Sequence, residues 1–221
     1  MTFKVFLFQF FIGEKGKVAP RKLRGYLGGT FSEHEVLHNH SKGGFHYRYP
    51  LVQYKILDGL PTIVTTGKGS DVIYSLFPEL NEVNIDGDIL PVFERRFREY
   101  RMEYGDTEDR FQYEFLTPWF PLNQDNYDDY ESMGSFEAKK EELERILTGN
   151  ILSQAKGLDY WIDNQLEVEL DFYSLKRPVY HKDVKFHGFR GSFTVNFRLP
   201  DYLGLGKSVS HGFGTIKQIG E

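Results

Sequence analysis

Cysteine is absent from this 221-residue chain, which excludes disulfides and any cysteine-ligated zinc or iron–sulfur centre and agrees with a reducing cytoplasm. A long apolar run is missing as well. The most apolar stretch, Thr2 to Ile12, is too short to span a bilayer. It carries only Lys4 as an early cation, holds Gln9 inside the run, and lacks a small-residue cleavage site, so it reads as a buried first strand rather than a signal peptide. The expectation is a cytoplasmic protein with no membrane partner. No repeat of fixed period is visible. An overall basic excess is also lacking, because the formal net charge is −5.

That average conceals a division. Residues 1–55 hold nine Lys/Arg against three Asp/Glu, and residues 174–221 hold eight against three, while 56–173 are strongly acidic. All seven histidines fall in the two basic segments. If the ends meet in the fold, they build a basic, histidine-bearing face on an acidic body, an arrangement suited to a polyanion. Chance segregation of charge onto solvated faces is the competing reading. Aromatic residues make up 16% of the chain, with 20 Phe and 14 Tyr, which argues against disorder and fits strands or base-stacking surfaces.

The order of elements is interleaved. Residues 2–11 read as a strand. Pro20 starts a short helix with Leu23, Tyr26 and Leu27 inward and Arg21 and Arg24 sharing an outer face, and Gly25, Gly28 and Gly29 should end it early. Phe45 to Leu57 reads as a strand with a bulge at Pro50, and Asp58-Gly59 as a hairpin turn into Pro61 to Thr66. A helix over 67–80 and strand material over 83–104 complete a β-α-β-β-α-β order. The second half repeats it loosely: a strand at 111–118, an acidic aromatic connection to Met133, and a helix capped by Ser135 with Phe136, Leu143, Ile146, Leu147 and Ile151 on its apolar side. Strands at 165–173, 179–185, 192–199 and 215–219 follow. The fold class expected is α+β, two tandem ferredoxin-like (RRM-like) halves over 1–110 and 111–221, with a C-terminal glycine-rich loop.

Two features carry chemistry. Gly204-Leu-Gly-Lys-Ser-Val-Ser-His-Gly-Phe-Gly214 brackets five residues between Gly-apolar-Gly triplets, and such a loop can turn N–H groups toward phosphate oxygens beside Lys207, Ser208, Ser210 and His211. It can equally be a hairpin with no ligand. The second is His34-Glu-Val-Leu-His38-Asn-His40, with His46 and Tyr47 shortly after. Imidazoles can take and give a proton near neutrality, the pair of roles that RNA cleavage by its own 2′-hydroxyl needs. The spacings of His34, His38 and His40 also admit a zinc site, with Glu33 or Glu35 as the nearby carboxylates, and ordinary half-buried histidines are a third reading. His181 and His187 are read as structural.

Taken together, Leu23-Arg-Gly, Leu37-His-Asn-His40, Tyr47-Arg-Tyr-Pro-Leu-Val-Gln-Tyr54 and the closing glycine loop resemble the CRISPR repeat-processing endoribonucleases of the RAMP superfamily. The resemblance implies cleavage of CRISPR repeat RNA with no metal or other cofactor, leaving 2′,3′-cyclic phosphate and 5′-hydroxyl ends. It implies His38 and His40 as base and acid, in either order. It also implies RNA contacts from Arg21, Lys22, Arg24, Tyr47, Arg48, Gly204, Gly206, Lys207, Gly212 and Gly214, and other CRISPR-associated proteins as partners. A noncatalytic RNA-binding subunit of a CRISPR effector complex is the alternative.

Overall fold

Asp58 and Gly59 both take positive φ, 52° and 77°, and close the hairpin between β4 (Val52–Leu57) and β5 (Leu60–Thr65), as an Asp-Gly pair in a two-residue turn should. The computed structural model in which this is seen describes residues 1–13, 18–37, 40–41, 44–45, 49–174, 179–181 and 184–220. It divides into two compact units: Thr2–Met102 together with Ser210–Gly212, and Met1 with Glu103–Val209 and Phe213–Glu221.

In the N-terminal unit, β1 (Thr2–Ile12) leads to α1 (Pro20–Thr30), a 3-10 turn at Glu35–Leu37, and a two-residue hairpin of β2 (His40–Ser41) and β3 (Gly44–Phe45). After the β4–β5 hairpin come α2 (Lys68–Leu76), β6 (Glu82–Ile85) and the long β7 (Asp88–Glu103). The five-stranded sheet runs β4-β5-β1-β7-β6. Phe8 and Phe10 of β1, Leu23 and Leu27 of α1, Tyr54, Ile63, Ile73 and Phe77 form its core.

Contrary to the expectation from its glycines, α1 runs a full 11 residues. Leu23 and Leu27 are 0% and 1% exposed, and burying two leucines one turn apart outweighs roughly 1 kcal/mol per glycine of lost propensity. The strand material of 83–104 is a hairpin, turned at Asp86 and Gly87 (φ 55° and 97°) with Asn84 Oδ1 accepting from Gly87 N at 2.9 Å.

The C-terminal unit contains β8 (Gly105–Phe115), α3 (Gln124–Ser132), α4 (Phe136–Gly157), β9 (Val168–Ser174), the hairpin of β10 (Val179–His181) and β11 (Val184–Phe186), β12 (Phe189–Arg198) and β13 (Ile216–Gln218). Its sheet is antiparallel, in the order β13-β8-β12-β9. This unit departs from β-α-β-β-α-β: both α-helices described precede β9, and β12 reaches β13 through the glycine-rich segment with one 3-10 turn, Val209–His211. Four glycines in eleven residues forbid a stable helix there.

Helix α3 lies within what was expected to be an acidic, aromatic connection. Asn123 and Asn126 close a reciprocal capping box, and Tyr130 packs edge-on against Phe189 at 5.8 Å between centroids. Ser135 does cap α4, accepting from Ala138 N at 3.1 Å. Phe136 is 61% exposed rather than inward and stacks on Phe172 at the sheet edge.

Candidate nucleic-acid interface

Helix α1 presents the basic residues of the N-terminal unit in three different settings. Leu23 and Leu27 point into the core, which turns Arg21 to solvent. Lys22 is ion-paired with Asp86 at 2.6 Å; both side chains are well exposed, so the pair is weak and open to competition from a phosphate. Arg24 is half-buried, and its Nη1 lies 3.2 Å from His211 Nε2. Burial lowers the guanidinium pKa, with Tyr54 acting in the opposite sense, yet an arginine stays charged in any protein setting.

His211 belongs to the tip of the glycine-rich loop, Ser210–Gly212, which is part of the N-terminal unit. Its Nδ1 is 3.3 Å from Ser210 Oγ. Within the same unit, a Cβ on Gly212 would lie 2.9 Å from Tyr54 O and 3.1 Å from Pro20 Cγ, so a residue without a side chain lets the tip settle on the start of α1 and on β4. Tyr54 itself is fully buried and donates its hydroxyl to Leu37 O at 3.0 Å. That bond fixes the end of the 3-10 turn immediately before His38. Burial pushes the Tyr54 hydroxyl pKa well up, so it remains a donor throughout the working range.

The rest of the glycine loop is packed into the C-terminal unit. Gly204 bridges Thr215, Gly206 lies against the Trp119 indole, and Gly214 lies against Leu205 O. The N–H groups of Leu205, Lys207 and Gly214 donate to Gly214 O, Phe120 O and Pro118 O at 2.9, 3.3 and 2.8 Å. Those three donors therefore serve the protein's own backbone, where the sequence suggested a phosphate cradle. What the loop offers a ligand is its partly exposed side chains, Lys207, Ser208 and Ser210.

Of the histidine cluster, the structure describes His34, beside Glu33 at 3.7 Å, and the backbone of His40, paired with Phe45 across the β2–β3 hairpin. His38, His46, Tyr47 and Arg48 lie outside the described residues. His187, read from the sequence as structural, stacks on Phe189 at 4.7 Å between ring centroids, and its Nδ1 lies 3.3 Å from Glu131 Oε1. The Arg24–His211 contact was not foreseen. Its signal was the position of one histidine inside the glycine loop, but nothing in the sequence says which helix that loop meets.

Models of two domains match consecutively along this chain, the Cas6b N-terminal domain over residues 1–103 and the Cas6b C-terminal domain over 105–219. The chain belongs to the Cas6b family. A solved structure described as the crystal structure of Cas6b superposes with a TM-score of 0.90 at 33% identity, covering 99% of this chain and 100% of the other. A second, described as the CRISPR RNA processing endoribonuclease Cas6b, gives 0.78 at 30% identity over the same shares. An uncharacterized protein of Methanocaldococcus jannaschii is 40% identical over 142 residues, 64% of this chain and 95% of that one. As a Cas6b, the chain is a CRISPR-associated member of the RAMP superfamily, with two β-sheet-rich units in an α+β fold.

Proposed function

We propose that this Cas6b cuts the repeat of a CRISPR transcript in the cytoplasm by metal-independent attack of a 2′-hydroxyl on the adjacent phosphorus. The observation that carries this reading is the match of both Cas6b domains end to end, joined to 30% identity over nearly the whole chain with a Cas6b described as a CRISPR RNA processing endoribonuclease. In the step itself, one of His38 and His40 takes the 2′-hydroxyl proton as the new O–P bond forms. The other gives a proton to the departing 5′-oxygen, leaving a 2′,3′-cyclic phosphate and a 5′-hydroxyl. A buried hydroxyl, Tyr54, fastens the 3-10 turn that leads into His38, and His40 stands on the short hairpin that follows. The turn that precedes His38 in sequence is thus tied, through Leu37 and Tyr54, to the core of the N-terminal unit.

RNA is held, on this reading, by the phosphate-seeking groups of α1 and the glycine loop: Arg21, Lys22, Arg24 and Lys207, with Tyr47 and Arg48. Gly204, Gly206 and Gly212 let the loop backbone come close to the RNA, while the N–H of Gly214 is engaged by Pro118 O. The test is incubation with the cognate repeat RNA in EDTA, beside a substrate with one 2′-deoxy nucleotide at the cut site. The first should be cleaved and the second should not. His38→Ala and His40→Ala should each lower the single-turnover rate by about 10²-fold or more while leaving RNA affinity within a factor of a few. Binding without cleavage by the unmodified protein would instead make it an RNA-binding subunit.

A further inference from the structure

Trp161 is 83% exposed, although the loop that carries it is anchored along its length. Asp106 binds that loop three times: Oδ2 accepts from Tyr160 OH at 3.0 Å and from Asp163 N at 3.4 Å, and Oδ1 accepts from Asn164 N at 3.4 Å. The backbone of Asp106 donates back to Tyr160 Oη at 3.1 Å. Tyr160 N donates to Ala155 O at the end of α4, and the Tyr160 ring packs edge-on against Tyr104 and Phe197 at 5.2 and 5.6 Å. Further along, Asn196 accepts from Glu167 N at 2.7 Å and donates to Gln165 O at 3.0 Å. A Cβ at position 105 would lie within 2.4 Å of the Tyr160 hydroxyl, and Gly105 sits at φ 128°; glycine there is what lets Tyr160 dock. Trp161 is therefore held out in water by a preorganised loop, the arrangement that spares a binding anchor the entropy of ordering.

The surroundings identify the kind of partner. Between Lys156 and Lys176 there are five acidic residues, Asp159, Asp163, Glu167, Glu169 and Asp171, and no lysine or arginine. All five are exposed. Arg110 reaches Glu167 and Glu169 at 2.6 and 3.6 Å, which leaves Asp159, Asp163 and Asp171 as uncompensated acids on the same stretch among the ion pairs described. An exposed tryptophan on so acidic a stretch of chain disfavours a phosphate backbone, whereas it suits a lysine or arginine laid over the indole with further cations beside it. The chain's own basic segments are engaged by RNA on the reading above, so the cations must come from another molecule.

We propose that the Trp161 loop is the docking site for a different protein, one that presents a lysine- or arginine-rich segment. The probes are purified CRISPR-associated proteins of the same organism, each titrated while acrylamide quenching of tryptophan emission is followed. The chain has two tryptophans, and Trp119 is 0% exposed, so the difference in quenching between the unmodified protein and Trp161→Phe reports on Trp161 whatever tryptophans the added protein carries. One of those proteins should shield Trp161. Trp161→Ala should weaken its binding by roughly 30-fold, the loss expected of an interface anchor, with thermal midpoint and repeat-RNA cleavage unchanged. Asp163→Lys should weaken binding at low salt and progressively less as salt rises. The proposal is overturned if none of those proteins shields Trp161, if the repeat RNA shields it, or if shielding depends only on the concentration of this chain and so reports self-association. None of these outcomes depends on whether His38 and His40 cut RNA.

Discussion

Arg24 Nη1 and His211 Nε2 stand 3.2 Å apart, and because a guanidinium can only donate, His211 must accept through Nε2. In the tautomer that accepts through Nε2, the Nδ1 proton faces Ser210 Oγ at 3.3 Å. This bond orients the arginine without cancelling its charge, as a carboxylate would. Arg24 stays a full cation at the contact between α1 and the loop tip, which is what a phosphate site needs.

Removing Arg24 should therefore cost one phosphate contact. For single-stranded repeat RNA, Arg24→Ala should lower the magnitude of the slope of log K against log salt by about 0.7. His211→Ala should weaken binding less and leave that slope almost intact, since the charge remains and only its orientation is lost. His211→Gln, whose amide oxygen can still accept from Arg24, should recover most of the affinity. A salt titration of the four proteins separates a positioning histidine from a histidine that itself holds phosphate, for which Gln would not restore binding.

The glycines of this chain divide into those the fold needs and those it does not. A Cβ on Gly214 would lie 1.9 Å from Leu205 O, at φ 61°. Gly214→Ala should cost about 3 kcal/mol or more, from left-handed strain plus a clash with backbone that has nowhere to move. Gly149, on the exposed side of α4, has nothing within 4 Å of its Cβ position. Gly149→Ala should stabilise by about 0.5–1 kcal/mol through helix propensity alone. Urea midpoints of the two variants check both signs in one experiment.

Legibility in the sequence followed local chemistry. Asp58-Gly59 could be read as a hairpin turn and Ser135 as a cap because each acts on residues within three or four positions. Asp86-Gly87 obeys the same rule but was hidden in a charged stretch with no clean alternation. Helix α3 was invisible to a search for an apolar stripe, since Tyr130 is its one buried hydrophobic residue among the described side chains and a side-chain capping box holds its start. The site was legible as residue types and illegible as geometry. That His211 meets Arg24, 187 positions away, and that the amides of Lys207 and Gly214 are consumed by Phe120 and Pro118, are long-range facts that no local pattern encodes.

Lys55 supplies a prediction in pH. It is 0% exposed on β4, opposite Thr62 of β5, and Thr62 in turn faces Gln9 of β1 and accepts from its Nε2 at 3.4 Å. Burial lowers the ammonium pKa to about 7 from 10.5. The unfolded chain, whose lysine titrates near the ordinary value, then binds a proton that the folded chain lacks between those two pH values. Stability from this residue is fully present above about pH 10.5, is lost as pH falls toward 7, and is lost no further below that. Lys55→Met keeps the length of the stem and removes the charge. It should stabilise the protein at pH 6 by on the order of a few kcal/mol, and the gap from the unmodified protein should narrow steadily as pH rises from 7 to 10. Urea midpoints at pH 6, 8 and 10 decide it: a gap independent of pH would mean that Lys55 is held charged in the fold, with its burial offset by partners rather than by loss of a proton.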